Sequence, residues 1–115
     1  MKQNCAFEAT LSEGVLELVL RGEIDHHSAV GIRTEMDAKI MEERPKKTVL
    51  DLSGIEFMDS SGLGLIMGRF ALMERLGGEL TLRNPNERLV KIFELAGLQR
   101  MIRIEKEEKR EEKGQ

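Results

Sequence analysis

The stretch Lys47-Thr48-Val49-Leu50-Asp51-Leu52-Ser53-Gly54 constrains the fold more than any other part of the chain. It is short, almost continuously apolar between a charged start and a glycine, and rich in strand-forming residues. It therefore reads as a central strand buried on both faces, which needs neighbouring strands and a covering layer. The flanking segments supply both. Cys5, Phe7, Ala9 and Leu11 alternate with polar residues, Ser12-Glu13-Gly14 has turn chemistry, and Val15 to Leu20 resumes a strand pattern, which predicts an antiparallel hairpin. After Gly22 the period lengthens: Ala29, Ile32, Met36 and Ile40 form a helical stripe that Pro45 ends. Leu63, Ile66, Met67, Phe70 and Met73 form a second stripe, closed by Gly77-Gly78, and Glu79 to Arg83 reads as a strand. Asn84-Pro85-Asn86 supplies a turn and a cap for a third stripe, Leu89, Ile92, Phe93 and Ala96, stopped by Gly97. Met101 to Ile104 reads as a last strand.

The order β-β-α-β-α-β-α-β predicts an α/β fold, a mixed central β-sheet with helices packed over it. A chain of 115 residues with 40% hydrophobic side chains fits one domain over residues 1–115, with its core at about 5–104. Residues 105–115, Glu-Lys-Glu-Glu-Lys-Arg-Glu-Glu-Lys-Gly-Gln, carry nothing apolar and are expected to form a solvated helical extension or a frayed tail.

With no Trp or Tyr and four Phe, the chain has no aromatic platform for single-stranded nucleic acid. A formal charge of −3 without a separate basic block lacks the footprint of a nucleic-acid binder and disfavours anionic membranes. Cys5 is the only cysteine, the N-terminus has no apolar signal segment, and no apolar run approaches the ~20 residues of a membrane helix. A soluble cytoplasmic protein is the expectation.

Phe57-Met58-Asp59-Ser60-Ser61-Gly62-Leu63-Gly64-Leu65 is the stretch with candidate chemistry. A phosphate-binding P-loop requires a lysine after its last glycine, and none follows Gly62, Gly64 or Gly68. The dinucleotide fingerprint requires Gly-x-Gly-x-x-Gly, whereas Gly68 lies one residue too far and is turned by about 100° around the helix. A nucleophilic serine requires a histidine base, and the two histidines, His26 and His27, are adjacent and diverge. The same pair beside Asp25 lacks the spacing of a metal site. What fits is a helix N-cap, although one Asp or Ser suffices for that and three stand here.

The run from Val49 to Arg69, which holds Asp59-Ser60-Ser61-Gly62-Leu63-Gly64, with Arg21-Gly22-Glu23-Ile24-Asp25-His26-His27 upstream and the run from Leu95 to Ile104 downstream, resembles the anti-anti-sigma factors of the STAS domain family, in particular its sporulation anti-sigma factor antagonists. The likeness runs from about Phe7 to Ile104. It implies a binding protein rather than an enzyme, with no cofactor or metal of its own. The implied partner is an anti-sigma factor that is also a serine kinase carrying ADP or ATP. The unphosphorylated protein binds it and frees the sigma factor, phosphorylation abolishes binding, and a serine phosphatase resets the switch. The resemblance puts the phosphorylated serine at Ser60 and places Asp25, Asp59, Ser61 and Gly62 at or beside the partner surface. Gly54 and Glu56 precede the phosphorylation loop in a variable stretch, so the resemblance carries over the mechanism and not the partner specificity, and the free protein is expected to be monomeric. A STAS scaffold in another signalling module and a small nucleotide-binding domain are the alternatives.

Helical angles add one further candidate. Leu65, Leu72 and Leu76 lie roughly opposite the Leu63, Ile66 and Phe70 stripe. Either a neighbouring helix buries them, or they form an apolar partner-contact strip that begins with Leu65, one turn beyond the serine.

Overall fold

Val49, Leu50 and Leu52 lie in the middle strand of a five-stranded sheet in the computed structural model, which describes residues 5–107. Cys5–Ser12 (β1) and Val15–Ile24 (β2) form the antiparallel hairpin; Lys47–Met58 (β3), Glu79–Arg83 (β4) and Arg103–Glu105 (β5) add in parallel, in spatial order β1-β2-β3-β4-β5. The crossovers are His26–Glu43 (α1), Ser60–Arg75 (α2) and Glu87–Ala96 (α3). Right-handed crossovers between successive neighbours place all three helices on one face of the sheet. One core accordingly joins Leu16, Leu18, Leu50 and Leu82 of the sheet to Met36 of α1, Met73 of α2 and Phe93 of α3. The Thr48 hydroxyl reaches Met73 Sδ at 3.2 Å on that face.

β3 is buried on both faces, but the second cover is not a helix. Val49 and Thr81 point away from the helical layer and are nonetheless fully buried. Arg83 Nη1 meets Glu17 Oε2 at 3.0 Å, joining β4 to β2 diagonally across β3 and over Val49.

Three boundaries differ from the sequence expectation. β3 does not stop at Gly54; it runs on to Met58, with register shifts against β2 at Val19/Arg21 and Gly22/Glu23. A Cβ on Gly54 would sit 2.7 Å from the Leu20 carbonyl oxygen, so this glycine answers a close approach of two strands. Leu98–Arg100 adds a 3-10 turn after Gly97, which takes the left-handed conformation (φ 73°), and this pushes the last strand to Arg103–Glu105. The charged segment therefore begins inside the fold: Arg83 Nε lies 3.5 Å from both Glu105 and Glu107, and the remaining tail, residues 108–115, is outside the described residues.

Among the described residues no helix is long and apolar enough to cross a membrane. Burial pushes the Cys5 thiol up to about 11, and the charges of Asp25 and Glu35 act in the same direction. At pH 8 native Cys5 is expected to react with iodoacetamide roughly a hundredfold more slowly than in urea, because so little thiolate is present. Equal rates in the two states would contradict this burial.

Candidate functional site

β2 and β3 stay paired to Ile24 and Met58, so both strands end at one level and the chain turns there into two helices side by side. Asp25 follows Ile24 and caps α1; Asp59 follows Met58 and caps α2. The Asp59 amide donates to the Ile24 carbonyl at 3.2 Å, tying the two turns together. Asp25 Oδ1 accepts from the Ser28 amide at 2.9 Å while Ser28 Oγ accepts from the Asp25 amide at 3.1 Å, a reciprocal capping box. Asp59 Oδ1 accepts from the Ser61 amide at 2.8 Å. Hydrogen bonding from the Ser28 amide holds the Asp25 carboxyl below the usual carboxylate range, helped by the Ser28 hydroxyl and by His27. The two aspartates thus present one acidic rim over two positive helix ends. His26 and His27 are the exposed first residues of α1. Among the described residues no group of acids, histidines and cysteine is arranged to hold a metal.

Ser60 and Ser61 are not equivalent. Ser60 is exposed at the first position of α2, and among the described residues nothing hydrogen-bonds its hydroxyl. Ser61 is half-buried, with its amide held by Asp59. Gly62 is buried against the end of β3: a Cβ there would lie 2.6 Å from Met58 Cβ and 2.7 Å from its sulfur. Its role is to let the helix start sit directly on the strand. Gly64, with nothing within 4 Å, has no such constraint. Gly62→Ala is expected to lower stability by about 1–3 kcal/mol through overpacking, read as a drop in urea midpoint, with Gly64→Ala unaffected. An unchanged midpoint for Gly62→Ala would contradict the contact.

Leu65 does not belong to a partner surface. It is 4% exposed and Leu72 is 8% exposed, because α2 is wedged between α1 and the sheet and buries a wide arc, including Ile66, Arg69 and Met73. Leu65 and Leu72 are helix-packing core together with Ile66 and Met73 of the stripe first assigned, while Leu63, Met67 and Phe70 of that stripe, and Leu76 of the second row, are half-buried flanks.

Two polar contacts were missed in the sequence, one of Arg69 and one of Asn86. Arg69, almost fully buried, places Nε 2.8 Å from Asp37 Oδ1 on α1 and donates from Nη1 to the Leu65 carbonyl at 3.2 Å. Its position in line with Leu65 and Leu72 was the available signal. Asn86 caps α3, with Oδ1 accepting from the Leu89 amide at 2.8 Å, as its place in the turn implies. Its Nδ2 also donates to the carbonyls of Ile55 (3.2 Å) and Glu56 (3.4 Å), just ahead of the serine loop, a contact that no local pattern reveals.

Comparison with known proteins agrees with this architecture. The STAS domain model matches residues 6–110. The chain is 37% identical over 101 residues to the anti-sigma F factor antagonist of Paenibacillus polymyxa, covering 88% of this chain and 86% of the relative. It is 32% identical over 101 residues to the anti-sigma-B factor antagonist of Bacillus subtilis (strain 168), covering 88% and 91%. Among solved structures it is similar to the anti-sigma factor antagonist SpoIIAA in its unphosphorylated form (TM-score 0.74, 30% identity, 86% of this chain and 87% of that one). The phosphorylated form of SpoIIAA, a Bacillus cell fate determinant, superposes with a TM-score of 0.68 at 30% identity, covering 86% and 90%. With sheet order, helix placement and a match across nearly all of its length in agreement, the protein belongs to the STAS domain family.

Proposed function

We propose that this protein is an anti-sigma factor antagonist whose binding is switched off by phosphorylation of Ser60. The observation that carries the reading is the exposed, unbonded Ser60 hydroxyl at the start of α2, beside the Asp25 and Asp59 caps. The names of its relatives and the two forms of SpoIIAA support it. The protein acts by binding in the cytoplasm. Ser60 is a substrate, and the ATP or ADP belongs to the anti-sigma factor, which is also the kinase.

The unphosphorylated rim, with Asp25, Asp59 and Ser61, docks on the kinase and places the Ser60 hydroxyl at its nucleotide. Transfer of the phosphoryl group leaves a dianionic side chain at a helix N-terminus, where backbone N–H groups and the helix dipole stabilise it by roughly 0.3–1 kcal/mol. The phosphoprotein therefore stays folded, and a serine phosphatase can restore the hydroxyl. The test is displacement: unphosphorylated protein titrated into a sigma–anti-sigma complex should release the sigma factor. A complex that stays intact at saturating protein would contradict the proposal.

A further inference from the structure

β3 is held differently on its two sides as it approaches Ser60. On the β2 side, pairing persists to Ile24 and Met58. On the other side, pairing with β4 ends at Asp51 and Arg83, so the last part of β3 has no strand there. The chain leaves β4 through Asn84, whose backbone is left-handed (φ 59°) and whose amide donates to the Glu105 carbonyl at 2.8 Å, and through the buried Pro85. That turn delivers Asn86 to the unpaired edge. Its Nδ2 donates to Ile55 and Glu56 while its Oδ1 holds the first turn of α3.

We propose that Asn86 is a positioning residue for phosphorylation, a side-chain clamp that replaces the missing strand and fixes the β3 exit so that Ser60 is presented in one conformation. A simple cap would require only the oxygen. The amide nitrogen is the part of the side chain that reaches β3, and the two halves are separable by chemistry. Asn86→Asp keeps an oxygen for the Leu89 amide and has no hydrogen to donate to Ile55 and Glu56, and Asn86→Ser keeps an oxygen on a side chain one atom shorter, which draws its hydroxyl back from those carbonyls. Without that donor the segment from Phe57 to Ser60 samples more conformations, and the fraction competent to enter the kinase falls.

A fall in the competent fraction to about one tenth raises the apparent KM about tenfold and leaves kcat on bound protein unchanged. The inference rests on the phosphoswitch reading above, so the experiment has two arms. In the first, Asn86→Asp and Asn86→Ser are phosphorylated by the cognate anti-sigma factor with ATP, alongside Ile32→Val, which weakens the buried face of α1 and leaves the clamp intact. The expected result is a KM raised about tenfold for both Asn86 variants and unchanged for Ile32→Val. In the second, amide hydrogen exchange is measured on the free proteins, where the backbone from Phe57 to Ser61 should exchange about tenfold faster in Asn86→Asp while α1 is unaltered. Exchange of that segment at the wild-type rate overturns the clamp, as does an equal KM change in Ile32→Val. Wild-type protein that takes no phosphate on Ser60 overturns the phosphoswitch instead, and the exchange arm then decides the clamp alone.

Discussion

Ser60→Asp is expected to weaken binding to the anti-sigma factor by about a hundredfold or more, at least ~2.7 kcal/mol, while Ser60→Ala binds within a few fold of wild type. The reason is charge placement. Asp25 and Asp59 already stand at the two helix starts, tied through the Asp59 amide and the Ile24 carbonyl. A partner that docks on this rim brings groups chosen for two carboxylates and a neutral hydroxyl. Where the docked partner holds a carboxylate about 5 Å from residue 60, a new negative charge there meets roughly 3 kcal/mol of repulsion at an effective dielectric near 20. A phosphate carries about −1.5 to −2 charges and is bulkier, so the modified protein should bind more weakly still. Since the helix N-terminus favours an anion, Ser60→Asp should unfold no more easily than wild type, which separates a lost interface from a lost fold. Binding by Ser60→Asp within tenfold of wild type would contradict the switch.

The second large effect lies in the packing beneath the site. Asp37→Ala is expected to cost about 2–3 kcal/mol, at or below the roughly 3–5 kcal/mol typical of breaking a fully buried ion pair, because Asp37 itself is partly exposed. The Arg69 side chain is 6% exposed and that of Asp37 is 37% exposed. Removing Asp37 leaves the guanidinium enclosed with one remaining carbonyl contact, whereas removing Arg69 leaves a carboxylate that water reaches. Burial already draws the Arg69 pKa down, and Asp37 opposes that shift. Asp37→Ala/Arg69→Met, which removes both charges and keeps the volume, should recover most of the loss. Urea denaturation of the three proteins decides it: Asp37→Ala within about 0.5 kcal/mol of wild type, the range of ordinary surface substitutions, would contradict an enclosed pair.

Much of the fold was legible because each element announces itself locally. Glu79 to Arg83 and the helix from Asn86 to Gly97 carry their own pattern and caps, and the structure has them at those bounds. Gly54 misled because a glycine that ends a strand and one that admits a neighbouring backbone look alike in sequence. Only the 2.7 Å approach of the Leu20 carbonyl separates them. The two leucine rows of α2 could not be ranked without knowing that α1 lies alongside, since helical angle gives relative direction and not the direction of the sheet. At the site, a cap in the Asp59-Ser60-Ser61 run was legible, whereas the cap at Asp25 came from the structure. Their meeting depends on the register that sets Ile24 beside Met58, a long-range fact. The difference between Ser60 and Ser61 likewise comes from a backbone bond, the Ser61 amide to Asp59, that residue type does not reveal.

The central claim, that the Ser60 hydroxyl is the group this surface exists to offer, is tested most directly by phosphopeptide mass spectrometry after incubation with the cognate anti-sigma factor and ATP. The predicted result is phosphate on Ser60, with Ser60→Ala taking up none. Phosphate on Ser61, or undiminished labelling of Ser60→Ala, would contradict it.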